Sequence, residues 1–278
     1  MNKEKFKPRR VIEKRYQATI KGIVKRMRRK LETASTPTQA VTMLRELARS
    51  PTLDAAAQMA ATAMATQIMQ DGYRTWKEAA AAGSKGNEIY YALVKDLNKT
   101  NAFREIIDRN AALIKSVPID ATKALSKAMA EGYEAGMRPE DLKIDILDRF
   151  SDLTEARARL IARTETAKAA TTLTRVRAQR IGAEWYVWRT SDDARVRSSH
   201  EHMEGVLVSW NDPPSPEKLI GMKDYGAYHA GEFPNCRCYA QPLLDYDEVK
   251  WPHKVYLNGR ITSMTLTNFK KITGGGAI

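Results

Sequence analysis

At 278 residues and 43% hydrophobic content, the chain has enough apolar material for one large domain or two ordinary ones, which excludes disorder throughout. No stretch approaches the roughly 18 uninterrupted apolar residues of a membrane span, and the first residues hold no apolar leader, so a soluble, unsecreted protein with no membrane partner is expected. Of the net charge of +13, residues 1–30 carry +11, with thirteen lysines and arginines against Glu4 and Glu13.

Between Val11 and Leu31 the apolar residues Ile12, Tyr16, Ile20, Ile23, Met27 and Leu31 recur every three or four positions, which predicts one apolar helical face opposite the cations. Residues 1–32 therefore read as a basic amphipathic arm. Lys7, Arg9, Arg10, Lys14, Arg15, Lys21, Lys25, Arg26, Arg28, Arg29 and Lys30 would hold a polyanion, with the apolar face docked on a partner. The competing reading is a solvated helix face with a cationic bias. A membrane surface is disfavoured, because the apolar face lacks the bulky aromatics of interfacial helices.

Thr36 before Pro37 and Ser50 before Pro51 are two helix starts, each a capping hydroxyl followed by proline at the first helical position. The helix opened by Ser50 is rich in alanine and methionine, which suits close helix packing rather than a cofactor site. After a break at Gly83, Ser84 and Gly86, helical patterns cover roughly Glu88 to Lys115, Asp120 to Ala135 and Glu140 to Phe150, punctuated by Pro118 and by the turn from Gly136 to Pro139. A last long helix is expected from Leu153 to Arg180, stopped by Gly182. No fixed repeat period is found, so a solenoid is disfavoured.

From Glu184 onward the composition changes: this part holds all four histidines, both cysteines, four of five tryptophans and six of eleven prolines. EWYVWRT, GVLVSW and CRCYAQPLL read as strands, and KVYLNGRITSM as a hairpin turning at Asn-Gly. The expected class is α+β, with a mainly helical N-terminal domain and a small C-terminal α+β domain bearing a short antiparallel sheet. The expected boundaries are 1–32 for the arm, 33–152 for the helical domain, 153–250 for a domain led by the long helix, and 251–278 for a C-terminal hairpin and flexible tail.

Two stretches of the second domain carry the chemistry-bearing residues. RTSDDARVRSSHEHMEG brings Asp192, Asp193, Arg195, Arg197, His200 and His202 close in sequence, and YHAGEFPNCRCY adds His229, Cys236 and Cys238. Cysteine and histidine ligate zinc, so His200 (or His202), His229, Cys236 and Cys238 form a candidate structural zinc site. On a strand the two cysteines share a face and Arg237 takes the other, where it would be open to a partner. C-x-C is an uncommon zinc spacing, and cysteine is often simply buried, so packing competes with metal. A disulfide between positions i and i+2 would be strained, and no third cysteine is present for exchange.

Ser199, His200 and Asp192 or Asp193 are the residue types of a hydrolase triad, but sequence neighbours rarely point at one another and no G-x-S-x-G elbow exists. A nuclease with Arg195 and Arg197 on a phosphate is the other enzymatic reading. Against both stands a turn capped by Asp192 and Asp193, with the arginines solvated or paired to them. No G-x-x-x-x-G-K-[ST] loop is present.

The run IARTETAKAATTLTRVRAQRIGAEWYVWRTSDDARVRSSHEHMEGVLVSWNDPP, followed by H-x-G-E-F-P-N-C-R-C-Y, resembles the Mu protein F-like minor head proteins of tailed phages over about Leu160 to Leu244. The motif residues are Arg163, Glu165, Thr166, Asp193, Arg195, Arg197, His200, Gly205, Asn235, Cys236 and Cys238. The resemblance implies a virion protein of low copy number inside the head. Its expected partners are the portal protein and packaged double-stranded DNA, with scaffolding or major capsid protein as further ones. It implies binding rather than turnover, and assigns no residue a catalytic role; a metal-dependent hydrolase or nuclease built on the His/Cys/Asp cluster is the alternative. Some relatives carry a histidine directly before Pro-Asn-Cys-Arg-Cys, where this chain has Phe233, so His229 gains no support as a ligand from the resemblance.

Overall fold

The computed structural model describes residues 6–82, 86, 87, 89 and 100–273. The expected helix start at Glu88, the break at Gly83 and Ser84, and the tail from Gly274 to Ile278 lie outside them. The chain divides into two compact units, each assembled from separated segments: Arg10–Thr66 with Arg104–Arg163, and Met1–Arg9 with Gln67–Phe103 and Thr164–Ile278. These units cut across the boundaries expected at 32 and 152, because they follow contacts in space rather than composition along the chain.

The first unit is helical. It contains α1 (Arg10–Glu32), α2 (Pro37–Ala48), the first half of α3 (Pro51–Ala82), most of α4 (Asn101–Glu134) and the first part of α5 (Pro139–Arg180). Both expected N-terminal caps form: Thr36 Oγ1 accepts the Gln39 N–H at 3.1 Å, and Ser50 Oγ accepts that of Leu53 at 3.2 Å. The apolar face of α1 is spent within the chain, since Ile12, Tyr16, Ile20, Ile23, Val24, Met27 and Leu31 are all buried. Tyr16 also donates to Asn110 Oδ1 on α4 at 2.9 Å. Thus α1 is an integral core helix, not an arm awaiting a partner for its apolar side.

Two expected helix breaks do not occur. Pro118 lies inside α4, where a missing N–H and the ring clash cost about 3 kcal/mol. Burial of Ile114, Val117, Ala121 and Leu125 around it outweighs that, at about 1.5–3 kcal/mol for each large apolar side chain. The patterns read as two helices on either side of Ser151 and Asp152 are one helix of 42 residues. Ser151 and Thr154 turn their hydroxyls back to the carbonyls of Leu147 and Phe150, at 3.1 and 2.6 Å, instead of capping a new start.

The second unit is built on a sheet whose five strands, among the described residues, run in the order β3–β1–β2–β4–β5. These are β1 (Trp185–Arg189), β2 (Leu207–Ser209), β3 (Tyr239–Pro242), β4 (His253–Leu257) and β5 (Arg260–Met264). The α+β class holds, but the sheet is mixed: β2 and β4 pair in parallel through Leu207 and Val255, while the other pairs are antiparallel. β1 is buried at four consecutive positions rather than at alternate ones, so both its faces are covered. Asn258 and Gly259 both have positive φ, 49° and 80°, the type I′ turn that Asn-Gly favours. This hairpin is part of the sheet rather than an appendage, and α8 (Leu266–Ile272) sends Phe269 into the same core, 5.0 Å from the rings of Trp185 and Trp251. Phe6 and Trp76 join that core from far upstream. Cys236 and Cys238 precede β3, which starts only at Tyr239.

Candidate functional site

The segment from Thr190 to Arg197 makes a tight turn after β1, in which Asp193 Oδ1 accepts the Arg195 N–H at 3.0 Å and Asp192 adopts φ 54°. It feeds α6 (Ser198–His202), whose buried side holds Ser199 and His200 and whose exposed side holds His202. The facing loop, from Tyr228 to Cys238, is shaped by Gly231 at φ 90°, where a Cβ would lie 2.9 Å from the Cys238 carbonyl oxygen and from Thr171 Oγ1. Asn235 takes φ 58°, a left-handed conformation that asparagine tolerates.

The two motif stretches bind each other nearly residue by residue. Arg237 grips Asp193 with two guanidinium nitrogens, at 2.6 and 2.7 Å. The Arg197 guanidinium donates to the Pro234 carbonyl at 3.0 Å and lies 4.9 Å from the centre of the Phe233 ring. His200 Nδ1 stands 3.3 Å from Cys236 Sγ and 3.4 Å from Cys238 Sγ. The helix of the A-R-T-E-T motif holds the same loop from behind: Thr164 Oγ1 accepts the Asn235 N–H at 3.0 Å, and Thr171 donates to the Ala230 carbonyl at 2.6 Å. Arg237 is therefore engaged within the chain, against the expectation that it faces a partner.

The other motif residues are placed as follows. Arg163 pairs with Glu13 at 3.2 Å in the helical unit, Glu165 is buried with Lys168 at 3.7 Å, and Thr166 is buried. Exposed Arg195 lies 3.7 Å from Asp193. Gly205 turns the chain into β2 at φ 77° while its N–H donates to the Trp188 carbonyl at 2.9 Å.

Of the four expected metal donors, three converge: among the described residues, His200, Cys236 and Cys238 have their ligand atoms within 4.8 Å of one another, all buried. His229 is not with them. Its Nδ1 lies 3.2 Å from Tyr186 Oη, and its ring packs edge-on to Trp210. Behind His200 stands a relay that spacing along the chain does not disclose. His200 Nε2 is 2.9 Å from Tyr228 Oη, Tyr228 donates to Glu217 at 2.7 Å, and Ser199 donates to the same carboxylate at 2.9 Å. Glu217 sits on the short helix α7 (Pro216–Leu219) and is only 2% exposed. Tyr228 directly precedes His229 in YHAGEF, so its adjacency to a histidine was the one available signal; Glu217 had none.

Electrostatics follow this wiring. The Cys236 thiol is held down, to about 4, first by the hydrogen bond from the Cys238 thiol and then by His200, against the effect of burial. The Cys238 thiol goes up, because it keeps the proton the two share. Burial, then Glu217, raises the Tyr228 hydroxyl. Burial also lowers His229. For Asp193, burial alone would raise the carboxyl, but the Arg195 N–H and Arg237 together hold it below the usual range.

The cations proposed for polyanion binding fall into two groups. Arg9 pairs with Asp71, both within the sheet-bearing unit; Lys21 pairs with Glu155, Arg28 with Glu32 and Asp148, and Lys7 and Arg10 also have partners. Lys14, Arg15, Lys25, Arg26, Arg29 and Lys30 are exposed and form no ion pair among the described residues. At 100° per residue these six fall within an arc of about 160° and span about 24 Å of α1.

Residues 123–241 match the family model described as phage Mu protein F like protein. The chain is also 31% identical over 151 residues to an uncharacterized protein of Haemophilus influenzae (strain ATCC 51907 / DSM 11121 / KW20 / Rd), an alignment covering 54% of this chain and 31% of that protein. The chain thus spans about a third of the length of that curated relative. No solved structure matches it. The matched segment runs from α4 to β3 and encloses the whole set of interlocked motif residues, so the similarity to the phage Mu protein F like family lies in residues 123–241.

Proposed function

We propose that the chain is a minor head protein of a tailed phage, seated inside the head at the portal and against packaged DNA, and acting in head assembly and in packaging or delivery of DNA by binding rather than by turnover. The observation that carries this reading is the family match over residues 123–241. The use of the motif residues agrees with it, because Asp193, Arg197, His200, Arg237 and both cysteines are spent on holding two loops together. A hydrolase built on the same cluster would need donors open to substrate, whereas His200, Cys236 and Cys238 are 2%, 2% and 4% exposed.

The face of α1 that carries six exposed cations supplies the contact to DNA. Phosphates held by lysine and arginine release counterions, so the binding is independent of sequence and steep in salt. With six contacts the logarithm of the affinity falls against the logarithm of salt with a slope of about −5, a loss of about a thousandfold between 50 and 200 mM. Replacing the six cations by glutamine should flatten that slope and abolish binding to a random-sequence duplex, with the circular dichroism unchanged; an unaltered slope would remove DNA from the reading. The rival partner for this face is an acidic surface on the portal or on a scaffolding protein. Capture of the portal by the wild-type chain, compared with and without nuclease, separates protein contact from DNA bridging.

A further inference from the structure

We infer that His200, Cys236 and Cys238 bind one soft divalent ion of the zinc type, which locks the two motif loops together as a structural staple. The argument begins with lone pairs. Two sulfur atoms approach a single imidazole nitrogen at 3.3 and 3.4 Å. One nitrogen lone pair accepts one S–H along its axis, so hydrogen bonding to the ring accounts for one of these two approaches and not for both. An ion at the common focus satisfies all three atoms at once. Zinc–sulfur and zinc–nitrogen bonds of about 2.3 and 2.0–2.1 Å at a tetrahedral angle put sulfur about 3.6 Å from nitrogen, close to the spacing already present without it.

The tautomer of His200 points the same way. Glu217 receives the hydroxyl protons of both Ser199 and Tyr228. With its proton committed to Glu217, Tyr228 Oη is an acceptor toward His200 Nε2 at 2.9 Å, so Nε2 carries a hydrogen, and with an ion bound Nδ1 gives its lone pair to that ion. This is the outer-shell arrangement that orients metal-bound histidines, a carboxylate acting here through a tyrosine. Three protein donors leave one coordination position, filled by water. His200, Cys236 and Cys238 are all buried, which denies the site to a substrate and makes the ion a staple. Soft thiolates with imidazole select zinc over magnesium or calcium.

The test is metal analysis of the full-length chain purified without chelator, with Co2+ replacement as a second measurement. The expected result is about one equivalent of zinc, and, after exchange, tetrahedral Co2+ bands with sulfur-to-cobalt charge transfer. Cys238→Ser and His200→Gln should each lose the ion, whereas His229→Gln should keep it. Substoichiometric metal after dialysis against zinc, a Co2+ spectrum without the sulfur band, or metal retained in both the Cys238 and His200 variants overturns the proposal. Because the wild-type measurements stand alone, the test survives if either variant fails to fold. It is also separable from the assembly role, since a head protein without zinc and a zinc protein that does not enter heads are both readable outcomes.

Discussion

Asp193 and Arg237 are far apart in the chain, yet two guanidinium nitrogens reach two carboxylate oxygens at 2.6 and 2.7 Å. The contact is directional, and both of its hydrogen bonds are charge-assisted. His229 shows the same dependence on surroundings in its protonation. It is 4% exposed, its Nδ1 faces Tyr186 Oη, and burial lowers its folded pKa below the unfolded value of about 6.5, with Glu232 opposing and Arg175 adding to the shift. A depressed folded pKa means the unfolded state takes up the proton first. The stabilisation is therefore fully present above about pH 6.5 and is lost as pH falls below it. Thermal unfolding of the wild type should shift downward between pH 7 and 5, and His229→Asn, which keeps an acceptor for Tyr186, should show a smaller shift over that interval. An identical shift in both proteins would place the acid sensitivity elsewhere.

At the scale of an element, α1 shows how a charge pattern and a packing pattern divide one helix. The periodicity of Ile12, Tyr16, Ile20, Ile23, Met27 and Leu31 was legible, and so was the cationic face. Whether the apolar side waits for a partner or belongs to the chain's own core is not written in the periodicity, since both demand the same spacing. The structure buries it, with Ile20 and Leu31 at 0% and 1% exposure. Removing residues 1–30 should therefore unfold the helical unit rather than merely weaken DNA binding, and Ile20→Ala should cost about 2–5 kcal/mol in chemical denaturation. A truncated chain with unchanged helicity and an undiminished unfolding midpoint would contradict this. The fused helices tell a related story: Pro118 and the Ser151–Asp152 pair carry local signals for an end, and the packing of their neighbours overrides them.

Across the whole molecule, each unit is closed by segments distant in sequence. Phe6 and Trp76 meet at 5.3 Å and share a core with β1, β2 and Phe269. A fragment starting at residue 153 retains every strand and the interlocked loops but lacks those two rings. It should not unfold cooperatively, while Trp76→Ala in the full chain should cost about 3–5 kcal/mol. A sharp thermal transition from the isolated fragment would show that the C-terminal part folds without its upstream partners. The domain boundaries read from composition, at 32, 152 and 250, could not anticipate this, because composition changes along the chain while cores assemble across it.

Local chemistry was within reach of the sequence alone: the helix caps at Thr36 and Ser50, the Asn-Gly hairpin, the α+β class, the family resemblance, and the candidacy of His200, Cys236 and Cys238. These follow from steric and hydrogen-bonding rules acting over a few residues, or from motif order. Tertiary structure decided which of the four expected donors meet, by turning His229 toward Tyr186. It likewise supplied Tyr228 and Glu217 behind His200, closed Arg237 onto Asp193, and joined β2 to β4 in parallel. All of these depend on side chains brought together by burial of distant apolar surface, a driving force without direction that spacing along a chain cannot encode.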